Sequence, residues 1–166
     1  MVETIVYFFI MSMLMLLISS LVMNIFNARK QLQASHIVHN DARFIINFLN
    51  NRVHNVDVID DVSPAPEQLH FYQMPDIRFS LAIEGADLAY RQTEDSGSGF
   101  PDQSSIEPII INSDNVEVIN FVLTPISDSH GNANQGVDIS FTLRTGNVDD
   151  IYGYSQITFN TFMSIR

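Results

Sequence analysis

IVYFFIMSMLMLLISSLVMNIF, residues 5–26, follows Glu3 and Thr4 and carries no charged side chain. As an α-helix, the stretch from Thr4 to Phe26 would span about 34 Å, enough to cross the hydrocarbon core of a bilayer. A helix that is apolar on every side has to be covered on every side. The segment therefore reads as a membrane-spanning anchor, with Thr4, Ile5, Phe8, Leu14, Leu17, Leu21 and Phe26 among the spanning positions. A secretory signal peptide fits less well: it would open on basic residues, have a shorter apolar stretch and end in a small-residue cleavage site. Here the only charge ahead of the run is an acid, Glu3, placed where the run begins.

The helical pattern continues past the run. After Arg29-Lys30 comes QLQASHIVHNDARFIINFLNNRVHNV, residues 31–56. Ile37/Val38, Asp41/Ala42, Ile45, Phe48/Leu49 and Val53 fall on one stripe at helical spacing. Neither Gly nor Pro occurs before Pro64. The pattern predicts one helix of about fifty residues, apolar in its first half and amphipathic in its second. Residues 1–28 would form the transmembrane half. Residues 29–62 would form the half that packs on a sheet, chiefly through Ile37, Ile45, Phe48, Leu49 and Val53.

From residue 63 onward the period changes to that of strands. Pro64 and Pro66 break a helix, and Glu67 to Met74 can form a first short strand. Ile77, Phe79, Leu81 and Ile83 then alternate with Arg78, Ser80, Ala82 and Glu84. A turn at Glu84-Gly85 leads into Leu88 and Tyr90, so this pair reads as a β-hairpin. TEDSGSGFPDQSS, residues 93–105, is a Gly- and Ser-rich loop. In EPIIINSDNVEVINFVLTPI, residues 107–126, Val116, Val118, Phe121 and Leu123 are candidate core positions. The loop SDSHGNANQG is followed by Val137, Ile139, Phe141 and Leu143 facing one way, and the last strand puts Ile157, Phe159 and Met163 on one face. Such strands suit an antiparallel sheet with one wet face, the other being covered by the amphipathic half-helix. The expected fold is α+β: a long N-terminal helix packed on a C-terminal antiparallel β-sheet domain, residues 63–166.

Composition removes several functions. The net charge is −11, and nearly all of it falls after residue 40. Nucleic-acid binding needs a basic stripe to neutralise phosphates, and none is present. An acidic domain is also a poor match for anionic lipid beyond the anchor. With no cysteine, disulfides and thiolate chemistry are ruled out. No G-x-S-x-G, Gly-rich phosphate loop or spaced pair of catalytic carboxylates occurs, so the chain does not read as an enzyme and no cofactor is expected. His36 and His39 share a helix face without carboxylates to complete a metal site. Asp128 to Asp138 is oxygen-rich but lacks the spacing of a calcium-binding helix–loop–helix.

The glutamate opening a long apolar helix, the amphipathic continuation and the following β-domain resemble the type IV pilin superfamily of bacteria. V-E-T-I-V at positions 2–6 carries the likeness, with Glu3 aligned to the family's glutamate. N-S-D-N-V-E-V-I-N-F from Asn112, the G-V-D-I-S-F-T-L strand and the F-M-S-I-R ending from Phe162 resemble minor pilins and J-type minor pseudopilins. The resemblance implies a structural subunit of a type IV pilus, competence pilus or type II secretion system. Its partners would be other pilin or pseudopilin subunits, met through the N-terminal helix, and an inner-membrane assembly platform. It implies a single pass through the bacterial cytoplasmic membrane with the β-domain outside. It also implies a basic leader upstream, removed by a prepilin peptidase that methylates the new N-terminus. Arg29 and Lys30 alone would hold their flank in the cytoplasm; a basic leader would restore the opposite bias. Glu3 is then an assembly residue, able to meet a neighbour's N-terminal amine only in the correct register. The alternative is a membrane-tethered extracytoplasmic binding module that never polymerises.

Overall fold

The computed structural model describes residues 2–56, 58–60, 69–73, 77–94, 105–126 and 136–164. A single α-helix, α1, runs from Val2 to Val53, 52 residues. Runs of Leu, Met, Ala and Gln with no Gly or Pro let it extend unbroken for about 78 Å. It ends in an asparagine-rich turn. Asn55 and Val56 donate their backbone N–H groups to the carbonyls of Arg52 and Val53, and Asn55 Nδ2 donates to the Asn51 carbonyl at 3.0 Å. These bonds satisfy carbonyls that the helix leaves without partners. The helix thus stops well short of residue 62, before the prolines, and β-branched Val58 and Ile59 begin a strand instead.

Among the described residues, eight strands follow in two antiparallel sheets. The first sheet contains β1 (Val58–Asp60), β2 (Leu69–Gln73), β3 (Ile77–Glu84), β4 (Asp87–Glu94) and β5 (Ile109–Ile110), in chain order. The second contains β6 (Glu117–Ile126), β7 (Gly136–Thr145) and β8 (Ser155–Ser164). The β3–β4 hairpin closes through Gly85-Ala86 between the paired residues Glu84 and Asp87. Gly85 has φ +69°, the conformation a two-residue turn with glycine first requires. In β6 the register shifts between Val118 and Asn120, a bulge. It moves the inward-facing set from Val116 and Val118 to Phe121 and Leu123, matching the change of phase in the apolar pattern.

The core lies where α1 meets both sheets. Val38, Ala42, Ile45, Leu49 and Val53 are buried against Phe79, Leu81, Leu88 and Tyr90 of the first sheet and Val137, Ile139, Phe141 and Leu143 of the second. Fully burying a side chain of this size contributes about 1.5–3 kcal/mol. Ile37 and Phe48 are half-buried at the rim of this stripe. Ile46 joins them there, and Ala34 extends the buried line by one more turn.

One expectation fails in the first sheet. The face of β3 and β4 turned away from the core is not wet: Ser80, Ala82, Ala89, Arg91 and Thr93 are all buried. Arg91 explains part of this, since its Nε donates to the Ile106 carbonyl at 2.8 Å and its guanidinium pairs with Glu84. The segment entering β5 is thereby drawn over the outer face. The second sheet does keep an open outer face, with Gln156, Thr158, Asn160 and Phe162 exposed along β8.

Candidate functional site

Glu3 stands in the first turn of α1, where a carboxylate is favoured by the helix dipole. Among the described residues it has no ion-pair partner. Among the described residues the nearest cationic side chain along the helix is Arg29, about 39 Å away. Around and beyond Glu3 the helix is bare. Thr4, Ile5, Phe8, Leu14, Leu17, Leu21 and Phe26 are all exposed, Phe8 at 81%. No residue from 2 to 26 is covered by another part of the chain. This part of α1 is long and apolar enough to cross a membrane. A row of large apolar side chains presented to water on every side is unstable; lipid or other helices must cover it.

The second half of α1 is held to the domain at several heights. His39 meets Phe159 edge-on with ring centroids 5.7 Å apart, and Phe159 stacks on Phe141 at 5.4 Å. Phe48 meets Tyr90 edge-on at 5.1 Å, and the Arg52 guanidinium lies over both rings, 5.6 and 5.4 Å from their centroids. Tyr90 donates its hydroxyl hydrogen bond to Gln92 at 2.6 Å. Burial pushes the Tyr90 phenol above its usual pKa, against the smaller opposing pull of Arg52.

Two polar residues join these parts. Asp41 Oδ2 accepts hydrogen bonds from both the backbone N–H and the hydroxyl of Ser113, each at 2.8 Å. Asn112 is buried beside it. The Ile111 N–H donates to the Leu88 carbonyl, and the Leu88 N–H in turn donates to Asn112 Oδ1 at 2.7 Å. The asparagine carbonyl thus takes the place of a backbone carbonyl as the chain leaves β5. Its Nδ2 donates to Val116 O at 2.6 Å and Asp87 Oδ1 at 3.0 Å. Here the chain crosses from the first sheet to the second, and the Val118 N–H donates back to Ala86 O in the hairpin turn at 2.8 Å. The sequence pattern reads residues 107–126 without this crossing. Its signal was present: N-S-D-N interrupts two β-branched runs with turn-forming residues.

The other candidates stay apart. His36 is exposed, and no group of three His, Asp or Glu that could hold a metal occurs among the described residues. Most of the loop from Asp128, considered for calcium, lies outside the described residues; Asp138 is an exposed residue of β7. No protein-family model, curated protein or solved structure matches the chain.

Proposed function

We propose that this chain is a minor pilin-like or pseudopilin-like subunit of a bacterial type IV pilus, competence pilus or type II secretion system. It enters the cytoplasmic membrane through residues 2–26 with its β-domain outside, and is drawn into a helical fibre by the same helix. The observation that carries this reading is a helix half with no covered residue, opened by a carboxylate with no partner among the described residues. A charge at the edge of an apolar span is costly unless it is satisfied there. In a bundle of parallel copies, one chain's Glu3 can pair with a neighbour's N-terminal amine, and only at one axial offset. The pair then specifies the register of assembly as well as stabilising it. Lipid covers the helix before assembly, and neighbouring helices cover it afterwards.

A membrane-tethered binding module that does not polymerise is the competing reading. It is favoured by the position of Glu3 in the first turn, where the headgroup layer could solvate it. Glu3→Ala and Glu3→Gln separate the two. For an assembly subunit both variants insert into membranes and keep the parent's unfolding transition, yet lose crosslinking to partner subunits and the fibre function. Glu3→Gln keeps size and hydrogen bonding, so its failure isolates the charge. Normal crosslinking and fibre function in both variants would support the tethered module instead.

A further inference from the structure

The loop joining β7 to β8, residues 146–154, turns back toward the bare half of α1. Asp150 Oδ2 lies 3.8 Å from Lys30 Nζ. Lys30 is four residues past Phe26, the last of the apolar run, hence about 6 Å further along the axis. The headgroup layer on each side of a bilayer is roughly 5–8 Å thick. If residues 2–26 span the membrane, Lys30 and the loop that reaches it stand at headgroup depth. The rest of β8 runs away from that level, since Phe159 meets α1 at His39, nine residues further along.

The loop is built rather than loose. Gly146 has φ +79°, and a Cβ there would come within 2.0 Å of the Gly153 carbonyl oxygen, so the two ends of the loop are pressed together. Asp150 N donates to Asn147 O at 2.9 Å, and Gly153 N to Asp150 O at 3.0 Å. Asp150 Oδ1 also accepts from the backbone of Tyr152 and Gly153. Its carboxylate is therefore occupied by two N–H groups and Lys30. The loop exposes three large apolar side chains, Ile151 at 78%, Val148 at 61% and Tyr152 at 44%, beside the exposed polar groups of Asn147, Asp149 and Asp150. Three large apolar residues on one rigid turn, with a tyrosine among them, fit the interfacial zone of a bilayer, where tyrosine is enriched.

We infer that the β7–β8 loop is a second membrane contact, which seats Val148, Ile151 and Tyr152 among lipid headgroups and fixes the tilt of the β-domain over the bilayer. This rests on the membrane-spanning reading of residues 2–26. The helix alone would hold the domain near the membrane but leave its orientation about the helix axis open. A lipid contact on the β7–β8 side fixes which face of the domain looks outward before assembly.

The chain contains no tryptophan, so single tryptophans report cleanly. Ile151→Trp, Leu17→Trp and Phe162→Trp would each be placed in the full chain and reconstituted into zwitterionic phosphatidylcholine vesicles. The lipids would be brominated either near the headgroup end or near the centre of the acyl chains. All three positions are exposed, so the fold tolerates the change. The expected result is blue-shifted emission from Ile151→Trp, quenched more by shallow than by deep bromines. Leu17→Trp should be quenched most by deep bromines and Phe162→Trp by neither. Unquenched Ile151→Trp beside a quenched Leu17→Trp would overturn the lipid contact and leave the anchor standing. A blue shift without quenching would also overturn it, since another copy of the chain would then cover the loop. An unquenched Leu17→Trp would remove the anchor itself, and with it this inference.

Discussion

The two halves of α1 obey the same backbone rules and have opposite surroundings. From Val2 to Phe26 every side chain is exposed, although nearly all are apolar. From Ala34 to Val53 most apolar residues are sorted onto one stripe, whose centre is buried, while Phe44 stays exposed. The hydrogen bonds along the helix do not distinguish the halves; what covers the side chains does. In the second half the chain supplies its own cover from both sheets. In the first it supplies none, and the cover has to come from outside. The same residue type should therefore matter to domain stability in one half and be silent in the other.

Leucine truncation gives the widest contrast. Leu49→Ala removes a fully buried side chain from the junction of helix and sheets. Such a change costs about 2–5 kcal/mol, depending on how far the cavity collapses. Leu17→Ala in detergent-solubilised full chain should leave the unfolding of the β-domain unchanged. Denaturant titration of both variants checks this, and equal losses would erase the distinction between the halves.

The joint that keeps the second half seated comes next in size. Asn112→Ala leaves the buried Leu88 N–H without its acceptor and the Val116 carbonyl without its donor. Unsatisfied buried groups of this kind cost about 1–3 kcal/mol. The loss should appear in the denaturation midpoint, and amide exchange should quicken at Leu88 and Ile111 before the centre of β7 is affected. Unchanged exchange at those two amides would show that the joint does not depend on the asparagine.

A smaller effect belongs to Tyr90, which covers the stripe at Phe48. Its phenol titrates above the usual value because burial disfavours the phenolate. The folded state therefore holds the proton longer than the unfolded one, whose tyrosines titrate near pH 10. The stabilisation by neutral Tyr90 is complete below that pH and declines as pH rises through it toward the folded-state value. Tyr90→Phe should flatten the alkaline fall in stability relative to the parent, with no comparable change at neutral pH beyond the lost bond to Gln92. An identical alkaline slope in both proteins would place the titration elsewhere.

How much of this was legible in the residues differs along the chain. The 3.6-residue spacing gives the stripe of Ile37/Val38, Asp41/Ala42, Ile45, Phe48/Leu49 and Val53. Of these the structure fully buries Val38, Ala42, Ile45, Leu49 and Val53 and leaves Ile37 and Phe48 half-buried. The α+β arrangement follows from the change of period after the stripe. Alternation in Phe79, Leu81, Ile139 and Phe141 gives the inward faces. What alternation cannot give is the number of sheets. The crossing at Asn112 depends on one side chain standing in for a backbone carbonyl, a three-dimensional substitution with no period of its own. Nor does pattern show that the back of β3 and β4 is covered, because Ser80, Ala82 and Arg91 alternate with the inward residues and read as solvent-facing, whereas the structure buries them and hydrogen-bonds Arg91 to the Ile106 carbonyl. The bare first half was plain from its composition. The loop that reaches down to Lys30 was not, since Asp150 and Lys30 are far apart in sequence.

The division of α1 into a half covered by the chain and a half covered from outside is tested most directly by removing the first. A chain beginning at residue 29 keeps the stripe, both sheets and the Asp41–Ser113 link. Its thermal unfolding should be cooperative, with a midpoint matching that of the β-domain in the full protein, and it should remain soluble without detergent. Membrane fractions should retain the full protein through carbonate extraction. Loss of the cooperative transition on truncation would contradict the account, because residues 2–26 would then be part of the domain's own core.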